Sequence, residues 1–215
     1  MTRPKVLCNM ATSLDGKIAP AHRVGPFVMS RGTEDAQRMR ALRLRADAVI
    51  IGAGNLSADD PDLMPSRLRV VVTRAGERVA PHAKMFGPGL GGEPVVAHAA
   101  SMSATVRNAL RERATLVELG ADEVDLSRLL EWLASERGCR VVLCEGGGIL
   151  TARFFAARAI DELYLTVVPR VLGGEGAPTL VAGEGFAADA LPDARLARID
   201  RVGDELFLVY AFDWT

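Results

Sequence analysis

The run Cys144-Glu145-Gly146-Gly147-Gly148 places a carboxylate and three glycines where an apolar strand-like stretch, 141–144, gives way to a helical segment. Glycines at such a turn let a ligand approach the backbone closely, and the amides opening a helix attract an anion such as a pyrophosphate. Open α/β sheets bind ligands outside the carboxyl ends of their strands, so Glu145 is the carboxylate with the strongest claim to chemistry. A second strand end, Ile51-Gly52-Ala53-Gly54-Asn55, starts like a dinucleotide fingerprint. Its third glycine position holds Ser57 and no acid closes a βαβ unit about 20 residues on, which excludes a standard Rossmann site. The acids that follow, Asp59, Asp60 and Asp62 around Pro61, lack further carboxylates at EF-hand spacing and are read as a helix end and turn, not a metal site. A third candidate is the turn Ser13-Leu14-Asp15-Gly16 leading into Lys17, one of only three lysines in the chain. His22, His82 and His98 fall in loop-like or strand-end positions and are read as non-catalytic. No G-x-S-x-G, H-E-x-x-H or Walker lysine is present.

The elements that position these groups follow from apolar patterning. Strand-length apolar runs occur at 6–11, 48–51, 68–73, 94–97, 115–119, 140–144, 162–168, 179–182 and 205–212, several of them continuously apolar and β-branched as strands covered on both faces should be. Helices are expected between many of them. Thr33 precedes a segment with Glu34 and Asp35 in its first turn and Arg43 and Arg45 in its last, the distribution the helix dipole favours. Asp125 precedes the stripe Leu126, Leu129, Leu130, Leu133, with Gly138 beyond as a stop signal. Two more helices are expected from about 101–103 through 113 and over 148–158. Strand–helix alternation predicts a largely parallel sheet, and 195–213, two strand patterns around Val202 and Gly203, predicts an antiparallel hairpin at its edge. The Gly/Pro-rich stretch 86–94 is expected to be a surface loop, leaving one α/β domain.

Composition narrows the function. Of 215 residues 49% are hydrophobic, so a substantial core is available; 26 Lys+Arg against 27 Asp+Glu give a net charge of −1, which disfavours a nucleic-acid partner. The 3 cysteines show no C-x-x-C spacing, so neither disulfides nor zinc is expected. No apolar run approaches the roughly 20 residues of a membrane span, and the apolar run before Ser13 is too short for a signal-peptide core. A cytoplasmic protein without a membrane partner is the expectation.

Taken in order, these segments resemble the pyrimidine reductases of riboflavin biosynthesis, both the C-terminal domain of the bifunctional deaminase/reductase and the stand-alone enzymes. The pattern S-[LI]-D-G-[KR]-x-A matches Ser13, Leu14, Asp15, Gly16, Lys17 and Ala19. An LR-x3-DA-[IV] segment is matched at Leu44, Arg45, Ala46, Asp47 and Ala48 together with Leu42 and Arg43 just before, and D-[DN]-P-x-L by Asp59, Asp60, Pro61 and Leu63. E-G-G matches Glu145, Gly146 and Gly147, and D-E-L followed by P-x3-GG-x-G matches Asp161, Glu162 and Leu163 with Pro169, Gly173, Gly174 and Gly176. The chain departs from the pattern at Asn55, where Thr is common, at Phe27 for the usual Trp, and in the stretch from Leu63 to Arg67, shorter than the family's loop.

The resemblance implies a single reductase domain over 1–215 with a dihydrofolate-reductase-like three-layer α/β fold, its central sheet mixed but mostly parallel with an antiparallel C-terminal hairpin. It further implies a homodimer, NADPH as hydride donor, and a phosphorylated ribosylaminopyrimidine reduced at C1′ of its ribose. Lys17 and Glu145 become the catalytic pair. Ala11, Asn55, Asp60, Thr73 and the turn Gly146, Gly147, Gly148, Ile149, Leu150 become cofactor contacts; Ser30, Arg43, Leu63 and Arg67 become substrate contacts, Arg67 offering a fork to the 5′-phosphate. The deaminase half is absent. Two alternatives stay open: a related reductase of a pterin or other heterocycle, and a non-catalytic nucleotide-binding module.

Overall fold

A computed structural model describes residues 3–214; residues 1, 2 and 215, which the expected domain also includes, lie outside the described residues. Nine strands and five helices follow one another as β1 (Lys5–Thr12), α1 (Glu34–Arg45), β2 (Ala48–Gly52), α2 (Ala53–Asp59), β3 (Leu68–Thr73), β4 (Glu93–His98), α3 (Ala104–Leu110), β5 (Thr115–Glu118), α4 (Leu126–Ser135), β6 (Val141–Cys144), α5 (Gly148–Ala156), β7 (Glu162–Val167), β8 (Arg195–Val202) and β9 (Glu205–Ala211). The chain's contacts group into two compact units, residues 3–5 with 40–143 and residues 6–39 with 144–214. Helix α1 passes from the second unit into the first at Arg40.

In the first unit the strand order is β5-β4-β3-β2-β6, and β2 to β5 pair in parallel register, with Gly52 beside Val72 and Thr73 beside His98. All six residues of β3 and the first four of β2 are buried, the mark of strands with both faces covered. The helices stop and start where their side chains dictate. The Asp125 carboxylate accepts the amides of Ser127 and Arg128 at 2.9 and 3.1 Å, Leu126, Leu129, Leu130 and Leu133 are buried, and Gly138 takes the left-handed φ of 61° that ends the segment. Ser103 caps α3 by accepting the Val106 amide.

The second unit orders its strands β1-β7-β9-β8. β1 and β7 are parallel, with Cys8 beside Leu163 and Thr12 beside Val167, whereas β9 runs antiparallel to both β7 and β8. The hairpin closes at Val202 and Glu205 around Gly203, whose φ of 60° only glycine adopts at little cost.

Two segments differ from their sequence patterns. Residues 53–59 form α2, which the glycine-rich start at Gly52 and Gly54 obscured. Its buried Leu56 supplies the packing, and Asp60 ends it with φ 44° and ψ 54°. Residues 179–182, expected as a strand, make a single β-bridge between Lys17 and Thr179 and otherwise run as loop. Their polar groups are consumed elsewhere, as the Ala182 amide bonded to the Gly148 carbonyl at 3.1 Å shows.

Candidate active site

In the second unit, the sheet's carboxyl ends carry two turns. After β1 the chain reverses through Ser13 to Gly16: the Ser13 amide donates to the Lys17 carbonyl at 2.9 Å, and the Lys17 amide donates to Ser13 Oγ at 2.9 Å. Gly16, at φ 75°, makes this reversal possible and leaves Lys17 half-buried. After β6 comes the half-buried Glu145 and the glycine turn.

Each glycine there has its own physical reason. A Cβ on Gly146 would lie 2.5 Å from Met10 Sδ, and one on Gly148 would lie 2.3 Å from the Thr179 carbonyl oxygen. Gly147 caps α5 at φ 28°, a conformation side chains resist. Close packing therefore accounts for much of the glycine run that the sequence alone assigned to ligand approach. What remains for a ligand is the start of α5, where the first helical amide bond runs from Thr151 back to Gly147 and Ile149 stands 71% exposed, while Gly148 and Leu150 are buried. The amides of that first turn have no partner within the helix.

Cys8 and Cys144 are fully buried, and Cys8 is pushed well above its ordinary value, first by its hydrogen bond with Cys144 and then by burial. Cys139 is raised to about 11, mainly by burial. Protonated thiols are poor nucleophiles, so thiolate catalysis has no support here.

In the first unit, Asn55 sits half-buried on α2, Asp60 follows it, and Thr73 ends β3 with its hydroxyl accepting the Gly76 amide at 3.0 Å. That bond shapes the loop after β3, which with α2 and α3 surrounds a cavity of about 570 Å³. Leu56, Val106 and Leu110 supply apolar wall; Ser57, Asp60 and Arg78 supply polar groups. Asp60 is anchored by accepting the Lys84 amide at 2.8 Å, with Lys84 Nζ 3.8 Å from its other oxygen. Arg78 lies over the start of α2, its Nη1 3.7 Å from where a Gly54 Cβ would be. No sequence pattern singles out Arg78 among the pocket's lining residues. The only local cue is a strand end followed by Gly76, held at φ 85°, and a cation two residues on.

The expected substrate residues are placed differently from one another. Ser30 is buried and donates to Glu205 Oε2 at 2.9 Å. Arg43 is buried and donates to the Met64 carbonyl at 2.8 Å, with Asp62 3.9 Å away. Leu63 is fully buried at φ 61°, a rare conformation for a branched side chain. Arg43 and Leu63 thus meet in the short loop after α2. Buried Arg69 holds this loop from the other side, its guanidinium reaching Met64 Sδ at 3.7 Å, the Met85 carbonyl at 2.9 Å and the Gly91 carbonyl.

Arg67 does not join them. It precedes β3 and turns to the Arg137 carbonyl at 3.0 Å, Cys139 Sγ at 3.4 Å and Asp47 at 3.8 Å. At about 3.3 Å per residue, a six-residue strand separates it from the Thr73 end by ~20 Å. These partners hold the half-exposed Arg67 guanidinium at the amino end of the strand.

The fold is an α/β fold of the dihydrofolate-reductase-like class. The dihydrofolate reductase of Enterococcus faecalis, solved with NADP(H), covers 97% of the chain at a TM-score of 0.53 and 11% identity. The RibD of Acinetobacter baumannii covers 98% at a TM-score of 0.79 and 21% identity, this chain spanning 58% of that one. Residues 4–208 match the RibD C-terminal domain, and the chain belongs to that family. It is 35% identical, over 97% of its length and 98% of the relative's, to the 2,5-diamino-6-ribosylamino-4(3H)-pyrimidinone 5′-phosphate reductase of Methanothermobacter thermautotrophicus.

Proposed function

We propose that this chain is an NADPH-dependent reductase of riboflavin biosynthesis, transferring a hydride to ribose C1′ of a 5-amino-6-(5-phosphoribosylamino)uracil or the 2,5-diamino-pyrimidinone phosphate to give the ribityl product. The observation that carries the reading is the near end-to-end likeness to a reductase named for the second of these substrates. The residues fit the cofactor. The first turn of α5, whose amides have no partner within the helix, suits a pyrophosphate, flanked by the exposed Ile149. The cavity of the first unit has room and apolar wall for a nucleoside, with Asn55 and Thr73 nearby and Asp60 in its lining, and Arg78 is the cation suited to an additional phosphate.

NADPH, when bound, supplies the hydride. The chain's own part is to hold the sugar and steer protons. Lys17 presents an ammonium to the ring-opened sugar oxygen, and Glu145 accepts hydrogen bonds from its hydroxyls or from the N–H of its protonated imine. Together they polarise the carbon that receives the hydride. Ala11, at the end of β1, offers backbone to the nicotinamide side. Ser30, Arg43 and Leu63 stay with the substrate as supports of its site.

A second copy of the chain is the partner we propose. Strand pairing puts Leu165, Leu206, Leu208, Tyr210, Leu196 and Ile199 on one face of β7, β9 and β8, with Leu196 46% and Ile199 57% exposed. An apolar edge of this kind suits a self-complementary contact. Three cysteines without a disulfide suit a reducing cytoplasm, and no helix among the described residues is long and apolar enough to cross a membrane.

Purified protein mixed with NADPH should consume it only when the ribosylaminopyrimidine phosphate is added. Turnover of dihydrofolate in its place would move the assignment to a pterin reductase, and absence of NADPH binding would refute it.

A further inference from the structure

The exposed carboxylate of Asp15 is held by more donors than a surface turn needs. Ser13 Oγ donates to Oδ1 at 2.6 Å, the Leu172 amide donates to Oδ1 at 3.0 Å, and the Gly173 amide donates to Oδ2 at 2.7 Å. These bonds, Ser13's first, bring the carboxyl down to about 2. Leu172 and Gly173 belong to a long segment without regular structure, in which Gly173 and Gly174 both take positive φ.

From there the segment keeps touching both turns of the second unit. The Leu14 amide donates to the Arg170 carbonyl at 2.8 Å and the Ile18 amide to the Pro178 carbonyl at 2.9 Å. Thr179 bridges to Lys17, its carbonyl fills the space a Gly148 side chain would need, and Ala182 donates to the Gly148 carbonyl at 3.1 Å. Residues 170–182 thus form a strap fastened to the Lys17 turn near both of its ends and, through Thr179 and Ala182, to the start of α5. Asp15 is its only side-chain clasp to the Lys17 turn among the bonds identified in the described residues.

We propose that Asp15 is a positioning residue: by clasping residues 172–173 it seats the strap, and the strap sets the Lys17 turn and the anion-ready start of α5 as one unit. The effect on catalysis rests on the reductase reading above; the mechanical coupling does not. A carboxylate accepting three bonds is a stiff fastener because charge-assisted bonds are about twice as strong as neutral ones. Small displacements of groups that orient reactants cost rate steeply.

The test compares wild type with Asp15→Ala and Asp15→Asn in the full chain. Hydrogen exchange without ligand is read on 170–182 and 145–150. NADPH affinity and the isotope effect on kcat with NADPH dideuterated at C4 are measured alongside. Asp15→Ala is expected to speed exchange in both segments, to weaken NADPH about tenfold and to raise the isotope effect as hydride transfer becomes the slower step. Its Tm should move by only a few degrees. Asp15→Asn, which keeps one acceptor, should fall between, and it decides the matter if the alanine variant does not fold. Loosening confined to 170–174, with 145–150 and the isotope effect unchanged, would make Asp15 a local staple and overturn the proposal, as would unaltered exchange in both segments. A wild type that fails to bind NADPH refutes the reductase reading and leaves the exchange data to judge the clasp.

Discussion

The two units solve the problem of a ligand-binding sheet in opposite ways. In the first, parallel strands are buried on both faces, and the space we assign to a ligand is an open pocket lined by α2, α3 and the loop after β3. In the second, the sheet ends in an antiparallel hairpin, and among the described residues nine of the ten large exposed hydrophobic side chains lie in this unit, Leu196, Ile199 and Val202 of them on its edge strand β8. The parts we assign to the ligand are turns held by a strap of loop. A both-sides-covered sheet makes a good receptacle for a fixed group such as a nucleoside. Turns whose positions depend on a few clasps suit groups that must be aimed at a reacting carbon, and an uncovered apolar edge suits a partner.

This contrast predicts separable losses. The largest is expected in the second unit. Lys17→Ala or Glu145→Gln should lower kcat by about a hundredfold or more while NADPH affinity, read by fluorescence titration, changes little. Near wild-type turnover in both would end their role. Next, Arg78→Ala in the first unit should weaken NADPH by about tenfold, the worth of one charged hydrogen-bond pair, and leave NADH binding and kcat nearly as they were. Equal loss for the two cofactors would show that Arg78 does not meet the extra phosphate. The smallest effect on turnover belongs to Ile199→Asp at the bare edge: light scattering should show a monomer in place of a dimer, with kcat within about twofold of wild type. A wild-type chain that is already monomeric would remove the partner from the account.

The sequence made the two units unequally legible. Continuous apolar runs such as Val70-Val71-Val72 can only be covered strands, so the parallel half and the hairpin around Gly203 were evident. Helix α2 was hidden because glycine at Gly52 and Gly54 lowers helix propensity, and tertiary packing of Leu56 overrode it. Residues 179–182 look like a strand because Leu180, Val181 and Ala182 are apolar, yet their role is to pack against Gly148, a contact between distant parts of the chain that no local pattern encodes.

The site divides in the same way. Glu145, the glycine turn and Lys17 stood out by residue type at strand ends. Arg67, beside the D-P-x-L segment, reads as a phosphate ligand by residue type, whereas its contacts with Asp47 and Cys139 join distant parts of the chain and leave no local pattern. Asp15 looked like an ordinary turn acid, since its partners at Leu172 and Gly173 are backbone amides, invisible to side-chain patterning.

The central claim is hydride transfer from NADPH to the sugar carbon of a ribosylaminopyrimidine phosphate. Turnover with C4-dideuterated NADPH, followed by mass and proton NMR analysis of the product, tests it most directly. The account predicts a ribityl product carrying one deuterium, located at C1′. A product formed without the label, or no product from this substrate while dihydrofolate is reduced, would contradict it.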